Sequence, residues 1–140
     1  MRNLPTRFYG AAAIFALIGM IWGIQMSATH DHTLSPAHGH LNLIGFVVMS
    51  VFGTYYALTP QAAASRLANI HFGVTVLTVL VLTPGIAMAI TGRGEILAQG
   101  GSLLALLSMA LFAFTVFRYG AGPAPERTAS AKAAERQPAE

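Results

Sequence analysis

Two histidines one residue apart, His38 and His40, stand where a polar link gives way to a long apolar run, Pro36-Ala37-His38-Gly39-His40-Leu41-Asn42-Leu43-Ile44-Gly45. A neutral imidazole ligates metal ions and haem iron through a ring nitrogen. Ionisable groups at the edge of a bilayer are costly enough to mark functional positions. In a helix, a spacing of two turns the side chains ~200° apart. The pair is therefore suited to two centres, one on each side of a helix, rather than to one shared ion. His38 and His40 are the candidate cofactor ligands of this chain.

Three further histidines compete with them. His30 and His32 flank Asp31 in the preceding link, and two imidazoles with a carboxylate suit zinc or copper. His38 or His40 could complete that set, although the spacing matches no fixed metal template. His71 lies about one turn inside the opposite end of a later apolar run. It is expected on the far side of the membrane from His38 and His40, buried and bonded to a carbonyl or hydroxyl.

The elements that must position these residues follow from composition. The chain has 140 residues, of which 54% are hydrophobic and 9% charged. A soluble domain carries about 25% charged residues, so the bilayer is the natural solvent here. With no cysteine, disulfides and thiolate chemistry are excluded. The net charge of +3 comes from basic residues scattered at segment ends, which points to membrane orientation and away from nucleic acid. Four apolar segments near the ~20 residues of a span cover about 8–26, 37–58, 67–90 and 96–117. Short links bearing Pro36, Pro60 and Gly92 join them. The expected fold is all-α: a four-helix up-down transmembrane bundle over 1–119, followed by a disordered cytoplasmic tail over 120–140 that is poor in large apolar residues.

Basic residues set the orientation. Arg2, Arg7, Arg66, Arg118, Arg127, Lys132 and Arg136 fall on one side and only Arg93 on the other. Both termini are then cytoplasmic in a bacterial-type inner membrane, and residues 30–40 face outward. A cleaved signal peptide is the alternative reading of the first run, whose length exceeds most signal cores. Gly19-Met20-Ile21-Trp22-Gly23 has the small-xxx-small spacing of close helix contacts, within the bundle or between copies. Gly45 and Gly53 thin one side of the second span, enough for a flat macrocycle or another helix.

From Ser35 to Thr91 the chain resembles the last helices of subunit I in the haem-copper oxidase and nitric oxide reductase superfamily. The likeness is carried by His38-Gly39-His40, by Tyr55-Tyr56 and Pro60 closing that span, and by Ile70-His71-Phe72 with Pro84 in the next. The resemblance implies haem b, with His38 on a high-spin and His40 on a low-spin haem, and electron transfer or O2/NO handling. With four spans, a second axial ligand would come from a homo-oligomer, a partner membrane subunit or water. Ala37, His38, Asn42 and Pro60 also resemble the small membrane haem proteins typified by styrene oxide isomerase. That likeness implies an isomerase in which Asn42 orients an epoxide. A non-haem metal site or a cofactor-free assembly protein are the remaining alternatives.

Overall fold

The computed structural model describes residues 3–124, so Arg2 and the tail from 125, with Arg127, Lys132 and Arg136, lie outside the described residues. Within them the chain is all-helical, with four helices long and apolar enough to cross a membrane. These are α1 (Leu4–Thr29), α2 (Ser35–Leu58), α4 (Arg66–Ile90) and α5 (Ile96–Tyr119); a short α3 (Pro60–Ala63) links the middle two. Each outlasts its apolar run because the flanking residues start and stop helices well. The Asn3 side chain accepts from the Thr6 amide at 3.1 Å and Pro5 sits in the first turn of α1. Ser65 caps α4 in the same way. The left-handed backbone of Gly92 and Gly94 carries the turn into α5.

The four long helices are apolar on nearly every side and bury only part of that surface. Ile14, Ile21 and Ile24 of α1, Val47 and Val51 of α2, Leu80 of α4 and Leu103 and Phe117 of α5 are all exposed. A helix apolar all round belongs in a core or a membrane, and in lipid the helix satisfies its own backbone.

Helix α1 packs on α2, α2 on α4, and α4 on α5. Glycines set two of these approaches. Gly45 and Gly53 of α2 are met from α1 by Phe15 and Phe8, so another helix takes the thinned side. In the α4–α5 pair the backbones themselves touch: a Cβ on Gly85 would lie 2.5 Å from the Ala98 nitrogen, and one on Gly101 2.6 Å from the Leu82 Cα. Helix α2 carries one irregularity that the sequence does not announce, a π-helical turn over Leu43–Val48. Such turns insert a residue into the helix and recur at functional positions.

The chain after α5 does not leave the bundle at once. The Tyr55 hydroxyl donates to the Gly120 carbonyl at 2.8 Å, Gln61 Nε2 to the Gly122 carbonyl at 2.8 Å, and the Gly122 amide to Thr59 Oγ1 at 3.1 Å. The expected start of the tail at 120 is therefore strapped to the α2–α3 corner.

The α4–α5 crossing gives a stability test. Gly101→Val forces the two backbones apart and is expected to cost ~1–3 kcal/mol, the usual scale of overpacking. Gly100→Ala, whose Cβ meets nothing within 4 Å, is the matched control and leaves thermal unfolding in detergent unchanged.

Candidate functional site

The recess that receives His38 is made by α1. Gly19 and Gly23 leave a side-chain-free strip, and a Cβ at Gly23 would stand 3.2 Å from His38 Nε2. Without side chains in the way, Nε2 reaches the Gly19 carbonyl at 3.0 Å, with the Trp22 ring edge-on at 6.0 Å between centroids. A carbonyl only accepts, so Nε2 carries the proton in this bond and the neutral ring leaves Nδ1 bare. Asn42, one turn along α2, donates Nδ2–H to the His38 carbonyl at 2.9 Å and packs over Gly19. The Gly19–Gly23 strip is thus occupied by His38 and Asn42 of the same chain. Asn42 faces α1 rather than an open cleft.

His40 is placed differently. It is exposed, and its Nδ1 donates to the Pro36 carbonyl four residues back at 2.8 Å. That bond fixes the opposite tautomer, with Nε2 as a free lone pair pointing away from its own carbonyl partner. A histidine that donates from one ring nitrogen to a carbonyl is held in the state that ligates through the other. Below it on α2, Leu43, Val47 and Val51 are exposed apolar side chains. The two histidines of the pair meet different surroundings: His38 is engaged with α1, and His40 is open.

The link from His30 to Thr33 does not build a metal site. His30 is the left-handed residue that ends α1 (φ 55°). The Asp31 carboxylate accepts from the Thr33 amide at 3.0 Å, and the Thr33 hydroxyl and amide hold it below the usual carboxylate range. This local turn stays closed at neutral pH and is lost only as the pH falls below the ordinary carboxylate value. Among the described residues no three of His, Cys, Asp and Glu come together where they could hold a metal ion. The His30, Asp31 and His32 set expected for zinc or copper is not gathered among the described residues: the Asp31 carboxylate is turned onto Thr33, His38 onto Gly19 and His40 onto Pro36.

His71 belongs to the other end of the molecule. It is wholly buried, its Nδ1 hydrogen-bonded to the Tyr56 hydroxyl at 2.9 Å. Phe52, Phe8 and Phe112 surround it, with ring centroids 4.5, 5.7 and 6.1 Å from its own. On the α4 side, Thr75 donates to the His71 carbonyl and shares a 2.8 Å bond with Ser108 of α5. Phe8 touches His71 while Gly19 touches His38, and the rise of α1 between them is ~16 Å. His71 and the His38–His40 pair therefore occupy separate levels of the bundle. The buried hydroxyl partner follows the sequence expectation. Its identity as Tyr56 does not, because nothing local links residues fifteen apart.

The spaces beside these groups are small. One of about 70 Å³ lies against Trp22, Gln25 and Asp31, and one of about 80 Å³ lies between α2, α4 and α5. Neither admits a porphyrin. No protein-family model, curated protein or solved structure matches the chain.

Tyr56→Phe leaves the buried imidazole without its hydrogen-bond partner and is expected to cost ~1–3 kcal/mol. Tyr55→Phe removes the hydroxyl that reaches the Thr115 and Gly120 carbonyls, strands no buried imidazole, and costs less. Thermal unfolding of the two variants side by side in the same detergent checks the order.

Proposed function

We propose that this chain is a small haem-b protein of a bacterial-type inner membrane that serves electron transfer or the handling of O2 or NO. The observation that carries the reading is the His40 tautomer: Nδ1 is spent on the Pro36 carbonyl, and Nε2 is left as an exposed lone pair on an apolar face. When bound, haem b supplies a one-electron couple and an iron to which a diatomic gas binds. His40 would hold the iron from the outer face of α2. His38, bonded to Gly19, holds the helix that presents His40 rather than offering its own Nε2. The exposed ridge of Leu43, Val47 and Val51 would pack on the macrocycle and exclude water from its edge. A further ligand would come from a second copy of the chain, a partner subunit or water. The reading agrees with the resemblance in assigning His40 to a haem and departs from it in the role of His38.

The topology we infer is up-down with both termini cytoplasmic. Tyr9 near the start of α1 bonds Thr54 near the end of α2 at 2.6 Å, and Arg7 bonds Asn69 near the start of α4 at 2.7 Å. Arg7, Arg66 and Arg118 then share one side, and among the described residues Arg93 alone lies opposite. The excess marks the cytoplasmic face, and His30 to His40 face outward.

The visible spectrum of the protein purified in detergent after expression with ample haem tests this. A Soret band is expected, lost in His40→Ala and retained in His71→Ala. His38→Ala keeps the haem and weakens its affinity by loosening α2 from α1. A colourless wild-type protein overturns the reading, as does haem loss in His38→Ala with full retention in His40→Ala.

A further inference from the structure

The end of the bundle that holds Arg7 is positive, and no acid among the described residues answers it. Helices α1 and α4 both begin there, and neither has an acidic residue in its first turn. The carboxylates of the described residues are Asp31, just after α1, and Glu95, just before α5, and both lie at the opposite end. A helix start carries a partial positive charge. Two helix starts therefore add to the guanidinium groups of Arg7 and Arg66 without being neutralised.

Arg7 is fixed in place by neutral groups. Its Nη1 donates to Asn69 Oδ1 at 2.7 Å, and its guanidinium lies over the Phe72 ring, 4.4 Å from the centroid. An amide oxygen and an aromatic face orient the cation and leave its full charge. The bond to Asn69 uses one of the five N–H donors of the guanidinium. Arg66 stands three residues before Asn69 on α4, a neighbour on the helix surface at ~5–6 Å between Cβ atoms. Arg7, Arg66 and Asn69 are all exposed, so a second guanidinium is within reach of an anion bound at Arg7. Such planar forks match the oxygens of a phosphate.

The surface that continues from these residues into the membrane is apolar. Gly10 lies one turn along α1 from Arg7, and Gly73 one turn along α4 from Asn69. Both are exposed, and a Cβ on either would meet nothing within 4 Å. Ile14, Ile70 and Leu77 extend the same exposed surface. A free anion uses the cations alone. An amphiphile uses both features, with its head on the guanidinium groups and its chains along the bared backbone at Gly10 and Gly73.

We propose that Arg7 and Arg66, with Asn69 as the positioning residue, form a docking site for the phosphate of an anionic phospholipid. Its assignment to the cytoplasmic leaflet rests on the topology inferred above. Binding itself rests neither on that nor on the haem reading.

Native mass spectrometry of the full-length protein in a neutral detergent, with phosphatidylglycerol or phosphatidylcholine added, is the test. Phosphatidylglycerol is expected to bind about 20-fold more tightly, and Arg7→Gln and Arg66→Gln each lower that preference about 5-fold. Asn69→Asp keeps both arginines but pairs Arg7 with a carboxylate, and it is expected to lower the preference as far. Arg118→Gln removes the same charge from the far end of α5 and is expected to leave the preference unchanged. If Arg7→Gln loses its helical circular dichroism, the exposed Arg66 and Asn69 variants carry the comparison. Equal binding of the two lipids by the wild type overturns the proposal. So does an equal loss in Arg118→Gln, which makes the effect one of net charge. Displacement of phosphatidylglycerol by inorganic phosphate at equal concentration assigns the site to a free anion and overturns it as well.

Discussion

Inside a bilayer a helix carbonyl is already engaged with its own amide four residues on, and a second donor reaches it only where no side chain stands in the way. The half of this protein that holds His38 depends on one such place. Gly19 and Gly23 bare a strip of α1, and His38 crosses it to the Gly19 carbonyl. That bond sets the rotation of α2 about its axis. With His38 turned to α1, a residue two positions on must face away, which leaves His40 open and free to bond back to Pro36. One close approach thus fixes two imidazoles in opposite tautomers. It also explains why Asn42 is withdrawn from any cleft, since it shares the strip with His38.

The half around His71 is held by another means. There the aromatic rings of Phe8, Phe52 and Phe112 close around His71, and Tyr56 supplies its polar contact. Its Nε2 has no partner among the described residues, an unpaired group that the dense ring packing around it has to offset. Between the two halves lies the π turn of α2. The inserted residue lets Gly45 seat Phe15 of α1 on one side while Ile44 and Val48 line the gap beside α5 on the other. A regular helix through this stretch would be rotated at one end relative to the other, and it could not meet both demands.

Much of the architecture was legible in the sequence because membrane spans are written in composition. The four apolar runs, the breakers between them and the two-residue spacing of the histidines all carry over into helices, links and opposed faces. What was not legible depends on contacts between residues far apart. The π turn has no signature in Leu43–Val48, a run of ordinary apolar residues. The strap from Gly120 to Gly122 looked like the start of a solvated tail, because its anchors, Tyr55, Thr59 and Gln61, lie some sixty residues earlier. The turn at Asp31 is local and was in the sequence: Asp31 followed by Thr33 is a turn former, and one carboxylate oxygen accepts from the Thr33 amide.

The division of labour between His38 and His40 follows from physics more than from resemblance. The resemblance to the oxidase subunit's helix implies a ligand role for both residues alike. Geometry separates them. For His38 to bind iron through Nε2, it would have to leave the Gly19 carbonyl, and the recess it vacates would lose the contact that seats α2 on α1. For His40 nothing has to break: its bond to Pro36 strengthens the lone pair it offers. The exposed His40 can keep its bond to Pro36 and offer Nε2 at once, whereas the nitrogen left free on His38 is Nδ1, beside its own backbone on a ring held in the α1 recess.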